Sequence, residues 1–496
     1  MKRLRRYSGL ATVLGGFLIG AALAPALVGC VPENSSLRRM AQSVGGGGSL
    51  PSDADRELTR FAAVYRDVAA NPANTRELKQ FKDAFVRVRN DYLHLVDDRL
   101  LIDAAIKGVR DLEAEPRTVS SEKVVEAGLE AMVASLDPHS VYLNAERLQE
   151  AFVSTKGQFG GLGIEVTVED GYVKVVSPIE GTPAERSGLK PGDLITHLNG
   201  DPIHGISIMD AVKRMRGEPG TDIRLTIRRV DEPVFDVVVT RAIISVRAVR
   251  WHIEDDVGYI RVASFTERME DGVSEAVRAI RAQLGNRMKG LILDLRSNPG
   301  GLLEESVGLA DLFLDKGRIV EVRSRDPGNR QIFAAKPGDE AMGMPMVVLI
   351  NGGSASASEI VASALQEDGR AIVMGTRSFG KGSVQTIMPL PIKGALKLTT
   401  ALYYAPSGRT IQGLGVVPDI AITGSEPSGA PRESDLPGAL TAGEQPVRTS
   451  LGTVAEENCP APPGGEADRQ LGCAVGFLKA GSAERFLASM PPSPRL

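Results

Sequence analysis

Met346-Val-Val-Leu-Ile350-Asn-Gly-Gly-Ser-Ala-Ser-Ala-Ser-Glu359-Ile-Val-Ala-Ser-Ala-Leu-Gln366 is read in three parts. Five consecutive apolar residues make a strand buried on both faces, two glycines turn the chain, and a run beginning near Ser356 has helical composition. A strand, a glycine turn and a helix N-terminus in succession are the elementary unit of an α/β sheet. The same unit presents hydroxyls beside backbone N–H groups that the helix leaves unbonded.

The alternation continues on both sides. Strands are expected at Val257 to Val262, Gly290 to Leu295 and Ala371 to Met374, with helices at Gly272 to Leu284 and Leu302 to Phe313. Residues 242–422 therefore read as an α/β core. From 157 to 241 the pattern shortens to alternating strands punctuated by glycines, with one helical stretch from Ser207 to Met215, so this unit reads as mostly β. Residues 78–156 carry apolar positions at helical spacing, including Phe81, Phe85, Val88, Ile102 and Ile106, and form a helical region. Residues 31–77, with Gly45-Gly46-Gly47-Gly48-Ser49, read as a flexible tether. Residues 423–496, rich in Pro and Gly, read as a mostly disordered tail with one short helix from Ala467 to Leu478.

A chain of 496 residues needs more than one such domain. Its 58 Lys and Arg against 62 Asp and Glu give a net charge of −4, which supplies no basic face for nucleic acid. Three cysteines and five scattered histidines fit neither a zinc ribbon nor an HExxH site, so no metal or cofactor is expected. At the N-terminus, Lys2, Arg3, Arg5 and Arg6 precede an uncharged run from Tyr7 to Pro32, which reads as an export segment over residues 1–30. The run is also long enough to remain as an uncleaved anchor. Cell-envelope residence follows from either reading. In that oxidising space Cys459 and Cys473 form a disulfide or stay as two thiols; the sequence leaves both open.

Gly375-Thr-Arg-Ser-Phe-Gly380-Lys381 imitates a phosphate loop, but Gly382 stands where Ser or Thr would hold magnesium, and a strand follows rather than a helix. Nucleotide binding is set aside. The turn after Ile350 offers Ser354, Ser356 and Ser358 as nucleophiles with an oxyanion hole at the helix N-terminus. Ser356-Ala-Ser-Glu359 is equally a capping box, in which Ser356 only caps the helix. No histidine lies beyond His252, so no local context supports a Ser-His-Asp triad, although triad members can be distant in sequence; lysine is the other base for serine, provided burial lowers its pKa. Lys381, among glycines and apolar residues, suits that role. Gln385, four residues on along an expected strand, would share its face. Asp294 and Arg296, before Pro299-Gly-Gly301, read as a strand-end ion pair beside a turn whose N–H groups can add an oxyanion donor.

Taken together, Ser135-Leu-Asp-Pro-His-Ser140, Phe159-Gly-Gly-Leu-Gly-Ile164, Gly188-Leu-Lys-Pro-Gly-Asp193, Arg216-Gly217, Asp294-Leu-Arg296, Gly353-Ser-Ala-Ser-Ala-Ser-Glu359 and Gly380-Lys-Gly-Ser-Val-Gln385 resemble the carboxyl-terminal processing peptidases. These are Ser/Lys proteases of family S41 with an inserted PDZ domain. The resemblance runs from about Phe81 to Ile420. It implies a multidomain α+β protein: a helical N-terminal region used in oligomerisation, a PDZ domain at 157–241, and a core like the crotonase and Clp-protease spiral. It further implies Ser356 as nucleophile, Lys381 as general base, Gln385 as its orienting residue, and the N–H groups of Gly301 and Ala357 as the oxyanion hole, with Gly300 the competing neighbour. Gly161, Leu162, Gly163 and Ile164 resemble a carboxylate-binding loop, and Leu162, Ile164, Val212 and Met215 an apolar pocket for a C-terminal side chain. Arg216 is implied as a coupling residue between peptide docking and catalysis. Leu27-Val28-Gly29-Cys30 resembles a bacterial lipobox, with Cys30 the lipidated residue of a membrane tether.

The implied function is cleavage of exported proteins with apolar C-termini through an acyl-enzyme, as a homo-oligomer and with an adaptor among the partners considered. Two rivals stand beside it. One is a catalytically silent PDZ scaffold that binds protein C-termini; the other is a crotonase-like enzyme acting on thioesters, which the export segment opposes.

Overall fold

The computed structural model of the chain describes residues 50–245, 247–424, 431–441, 448–462 and 468–491. The export segment with Cys30, and the Gly45–Ser49 tether, lie outside them. Residues from Arg56 onward form one compact unit. Among the described residues no helix is long and apolar enough to cross a membrane.

The first helices span Ser52–Val68, Thr75–Asp91, Asp98–Arg110 and Ser121–Ala134. The expected tether therefore ends earlier than residue 77. Phe61 and Tyr65, one turn apart on one face, are buried, and the Phe61 ring stacks on Phe81 with centroids 3.6 Å apart. Gly128 faces that ring so closely that a Cβ would meet Phe61 at 2.7 Å, which is why a glycine stands inside this helix.

The β-rich unit is a six-stranded antiparallel sheet ordered Ile164–Glu169, Tyr172–Pro178, Leu194–Leu198, Asp222–Arg228 and Phe235–Thr240, with Asp201–Pro202 paired to Leu194–Leu198. The helix Ile208–Met215 and alternate strand residues such as Val173, Val175, Ile223, Leu225 and Ile227 close its small core. A separate ribbon, Gln158–Gly161 against Ala242–Ser245, brings the entering and leaving chain together, as an inserted module requires.

The core is built on a seven-stranded sheet in the order Val249–Glu254, Val257–Val262, Gly290–Asp294, Met346–Ile350, Ile372–Gly375, Ile420–Thr423 and Gly452–Ala455. Only the first pair is antiparallel. Leu291 and Leu293 face one side, against the helices Met269–Leu284 and Ala357–Glu367, while Ile292, Val347 and Leu349 face the other. A second, antiparallel sheet joins Val141–Leu143, Ala395–Tyr404, Arg318–Ser324 and Arg330–Ala334, with Ser383–Pro389 also paired to Ala395–Tyr404.

The reading of 423–496 as mostly disordered is corrected here. Gly452–Ala455 extends the sheet, and the helix Arg469–Ala480 lays Leu471, Val475, Phe477 and Leu478 on its second face, followed by the helix Ala483–Ser489. The physical reason is that a parallel sheet apolar on both sides must be covered on both. Cys459 and Cys473, both buried, are joined in a disulfide that staples this helix to the preceding turn.

Candidate active site

Ser356 ends the turn after the strand Met346–Ile350 and precedes the helix Ala357–Glu367. Its backbone has φ 55° and ψ −114°, a conformation that a residue with a Cβ adopts only under constraint. The neighbouring serines are spent on structure: Ser354 Oγ donates to the Leu295 carbonyl at 2.7 Å and Ser358 Oγ to the Asn298 carbonyl at 2.9 Å. Both bonds tie the turn to the segment 295–298. The N–H groups of Glu359 and Ile360 reach the Ser356 carbonyl at 2.9 and 3.0 Å, and Ser356 and Glu359 form the capping box expected from the sequence. Near Ser356, burial pushes the phenol of Tyr403 up to about 12, with Ser356 acting in the opposite direction.

Glu359 holds the site from beneath. Fully buried, its Oε2 accepts the N–H of Ser356 at 2.8 Å and of Lys381 at 2.9 Å, while Oε1 accepts Ser378 Oγ at 2.5 Å and the Gly380 N–H at 2.7 Å. Burial pushes its carboxyl up to about 7, against the opposing pull of those donors. The loop that carries Lys381 is further pinned by the Phe379 N–H, which donates to the Ser354 carbonyl at 3.0 Å. Gly380, at φ 100°, supplies the turn that only glycine makes freely.

Lys381 has the electrostatics of a base. Desolvation, helped by the nearby Lys397, lowers its amine to about 8, outweighing Glu433, Asp137 and Glu359. Among the described residues its ammonium has no ion-pair partner. Lys397, on the strand Ala395–Tyr404, is itself lowered by burial.

Gln385 is placed differently from the alternation argument. Lys381 precedes the strand, which begins at Ser383, and the register shifts between Val384 and Gln385, so strand periodicity does not set their relation. The Gln385 amide nitrogen donates to Ser383 Oγ at 3.0 Å and Thr399 Oγ1 at 3.2 Å. Thr399 in turn donates to the buried Asp137 at 3.0 Å, which also receives Ser140 Oγ at 2.5 Å. The motif at 135–140 thus docks on the strand beside the lysine loop.

Opposite Ser356 lies the Pro299-Gly-Gly301 turn. The ideal Cβ position of Gly300 is 2.8 Å from the Ser356 Cβ and 3.0 Å from the Ala357 N, so only glycine lets the two turns meet. The Gly300 N–H is used by Asn298 Oδ1 at 2.9 Å, whereas among the described residues the N–H of Gly301 has no acceptor. The N–H of Ala357, at the first helical position, is one of those a helix leaves unbonded. Behind the turn, Asp294 and Arg296 pair at 2.6 Å as expected, and Arg296 also bonds Asp468 at 2.6 Å from the C-terminal segment. Among the described residues no cluster of side chains fits a metal ion.

In the β-rich unit, Gly161 ends the ribbon strand, Gly163 adopts φ 79° and Ile164 begins the sheet. Leu162 and Met215 are buried in the unit's core, with Ile164 and Val212 half-buried against it. The Arg216 guanidinium stacks on Phe159 at 4.6 Å, and its buried Nε has no partner among the described residues.

Tyr403, Thr399, Asp137, Glu433 and the bridging role of Glu359 were not visible as site features in the sequence. Of these, only Asp137, within the 135–140 motif, and Glu359, within the capping box, carried a signal in the sequence.

The chain matches two family models: peptidase family S41 over residues 256–422 and a PDZ domain over residues 160–237. It is 48% identical over 356 residues to a carboxy-terminal-processing protease of Bartonella bacilliformis, covering 71% of this chain and 76% of the relative. It is 34% identical to the carboxy-terminal processing protease CtpA of Bacillus subtilis, covering 73% and 72%. A solved structure of a photosystem II D1 C-terminal processing protease is 27% identical, with TM-score 0.44 over 70% of this chain and 92% of that one. The chain belongs to peptidase family S41, as a PDZ-bearing serine protease of the carboxy-terminal-processing kind.

Proposed function

We propose that the protein cleaves exported proteins after capturing their apolar C-termini on the PDZ domain, with Ser356 as nucleophile and neutral Lys381 as its general base. The observation that carries this is the single Glu359 carboxylate that holds the backbones of Ser356 and Lys381 together while burial lowers the lysine to about 8. A lysine so lowered is partly neutral at physiological pH and can accept the hydroxyl proton.

Ser356 Oγ adds to the peptide carbonyl as its proton moves to Lys381 Nζ, and the oxyanion faces the N–H groups of Gly301 and Ala357 at the positive end of the helix. The protonated lysine then gives its proton to the leaving amine. Water, deprotonated by the neutral lysine, releases the acyl group. With its amide nitrogen held by Ser383 and Thr399, Gln385 has its carbonyl oxygen left to receive the lysine amine.

The loop from Gly161 to Ile164 offers backbone N–H groups to a terminal carboxylate, and the pocket of Leu162, Ile164, Val212 and Met215 takes the last apolar side chain. Arg216 beside Phe159 couples that docking to the core. Export, envelope residence with a tether at Cys30, homo-oligomerisation and an adaptor belong to the same reading.

The test is proteolysis of an unfolded protein with an apolar C-terminus at neutral pH without metal. Wild type should cleave, and Ser356→Ala and Lys381→Ala should not. A wild type that binds the C-terminal peptide but never cleaves would favour a scaffold; an active Lys381→Ala would remove the dyad.

A further inference from the structure

Glu433 belongs to a short turn of helix, Glu433–Asp435, past the S41 match and inside the stretch whose composition suggests disorder. Its side chain is nonetheless completely buried. The carboxylate lies 2.8 Å from His139 Nε2 and accepts Gln412 Nε2 at 2.9 Å. Gln412 turns its other end to the Gly382 N–H, which donates to Gln412 Oε1 at 2.9 Å. Gly382 is the residue after Lys381, and a Cβ there would meet the Gln412 N at 2.4 Å, so the two backbones are in direct contact. The Glu433 N–H donates to the Phe379 carbonyl at 3.2 Å. One residue of the C-terminal segment therefore touches the lysine loop directly at Phe379 and reaches its other end, Gly382, through Gln412.

A buried carboxylate is costly unless it is hydrogen-bonded and useful to its surroundings. Here the carboxylate is bonded to His139 and to Gln412, and Gln412 in turn holds Gly382, the residue after the base. Glu359 holds the N–H groups of Gly380 and Lys381, which leaves the C-terminal side of Lys381 to Gln412.

We propose that Glu433 is a positioning residue for Lys381, fixing the lysine loop through Gln412 and facing the amine with a negative charge, with His139 of the 135–140 motif holding the carboxylate in place. The proposal rests on Lys381 being the general base. It gives the C-terminal segment a part in catalysis and explains why His139 lies opposite a residue 294 positions away in sequence.

The charged groups that face the Lys381 amine are Lys397, which lowers its pKa, and Glu433, Asp137 and Glu359, which raise it. Neutralising Glu433 therefore lowers the amine further, and the acid limb of activity moves to lower pH. Glu433→Gln keeps a group able to accept from Gln412 and removes the charge; Glu433→Ala removes both.

The full chain is assayed on an unfolded substrate with an apolar C-terminus, measuring kcat and KM across pH, with binding of a fluorescent C-terminal peptide as a control on the PDZ domain. Glu433→Ala should lose about tenfold or more in kcat with KM and peptide binding unchanged, as expected of a displaced base. Glu433→Gln should move the acid limb to lower pH, which a merely structural residue would not do. If Glu433→Ala fails to fold, the pH profile of Glu433→Gln decides. Wild-type kcat and pH profile in the glutamate variants, with Ser356→Ala inactive, would overturn the role of Glu433 and leave the dyad standing. An active Ser356→Ala would instead overturn the dyad.

Discussion

Ser356 and Lys381 donate their backbone N–H groups to the same atom, Glu359 Oε2, at 2.8 and 2.9 Å. The oxygen sits in a fully buried side chain, so neither bond competes with water. The strand–turn–helix segment carries the serine and a separate loop carries the lysine; this carboxylate links the two backbones at the reacting residues themselves. The bonds also help hold Ser356 in its strained conformation.

Glu359→Gln replaces one acceptor oxygen by an NH2 group that faces N–H or O–H donors. Loss of about 2 to 4 kcal/mol of stability is expected from the unsatisfied donors. In the fraction that folds, kcat should fall by about a hundredfold or more while peptide binding to the PDZ domain is retained. Thermal melts, kcat and peptide titration separate the effects.

The pH profile should follow Lys381. Because the base must be neutral, kcat/KM should rise with pH through about 8 and fall away below it. Stability responds in a defined direction. The folded value lies below the ordinary 10.5, so between the two the unfolded chain binds more protons and this lysine's contribution to stability grows as pH rises; at neutral pH, below both, its burial is a full penalty. Lys381→Met should be inactive yet more stable than wild type at pH 7, by about 2 kcal/mol. A less stable variant would contradict the desolvated lysine.

Gly301 has φ 148°, and a Cβ there would lie 2.1 Å from the Phe265 carbonyl oxygen. Gly301→Ala must therefore move the turn, and with it an oxyanion donor. Loss of about a hundredfold in kcat is expected. Unchanged KM would place the loss in the transition state.

Gly163→Ala should disable capture instead of chemistry. At φ 79°, with Thr182 Cβ only 2.3 Å from the new methyl, the loop must shift. Weaker binding of an apolar C-terminal peptide, with undiminished cleavage of a short substrate that does not need the PDZ domain, is the expected pair of results.

Reduction, or Cys473→Ser, should loosen the C-terminal helix. The bridge closes a loop across 14 positions and is worth about 3 kcal/mol of constraint on the unfolded chain. Faster amide exchange over 452–491 would follow. Asp468→Asn should act in the same direction by weakening the bond to Arg296. Exchange confined elsewhere would show that the bridge does not hold this segment.

The strand and turn at 346–356 were legible because five apolar residues, two glycines and a helical run each carry their own local preference. The PDZ unit was legible for the same reason: alternation in Asp222–Arg228 places Ile223, Leu225 and Ile227 on one buried face. The helix Ser52–Val68 was not, because a polar composition hid two aromatic residues that matter only once Phe81 meets them. Gln385 was brought near the lysine by an alternation that a register shift interrupts.

From sequence alone came the family motifs, the order of domains, the hydroxyl at a helix N-terminus and the lysine without a local histidine. These depend on residues close together in the chain, where propensity and periodicity act. Tertiary structure alone decided that Ser354 and Ser358 are spent on carbonyls, that one glutamate oxygen serves both Ser356 and Lys381, and that Cys459 pairs with Cys473. It also decided that Glu433 reaches Gln412 and that Phe477 covers the second face of the sheet. Each of these is a contact between distant segments. Its energy comes from burial and from satisfying a desolvated polar group, and neither exists until the chain has closed around it.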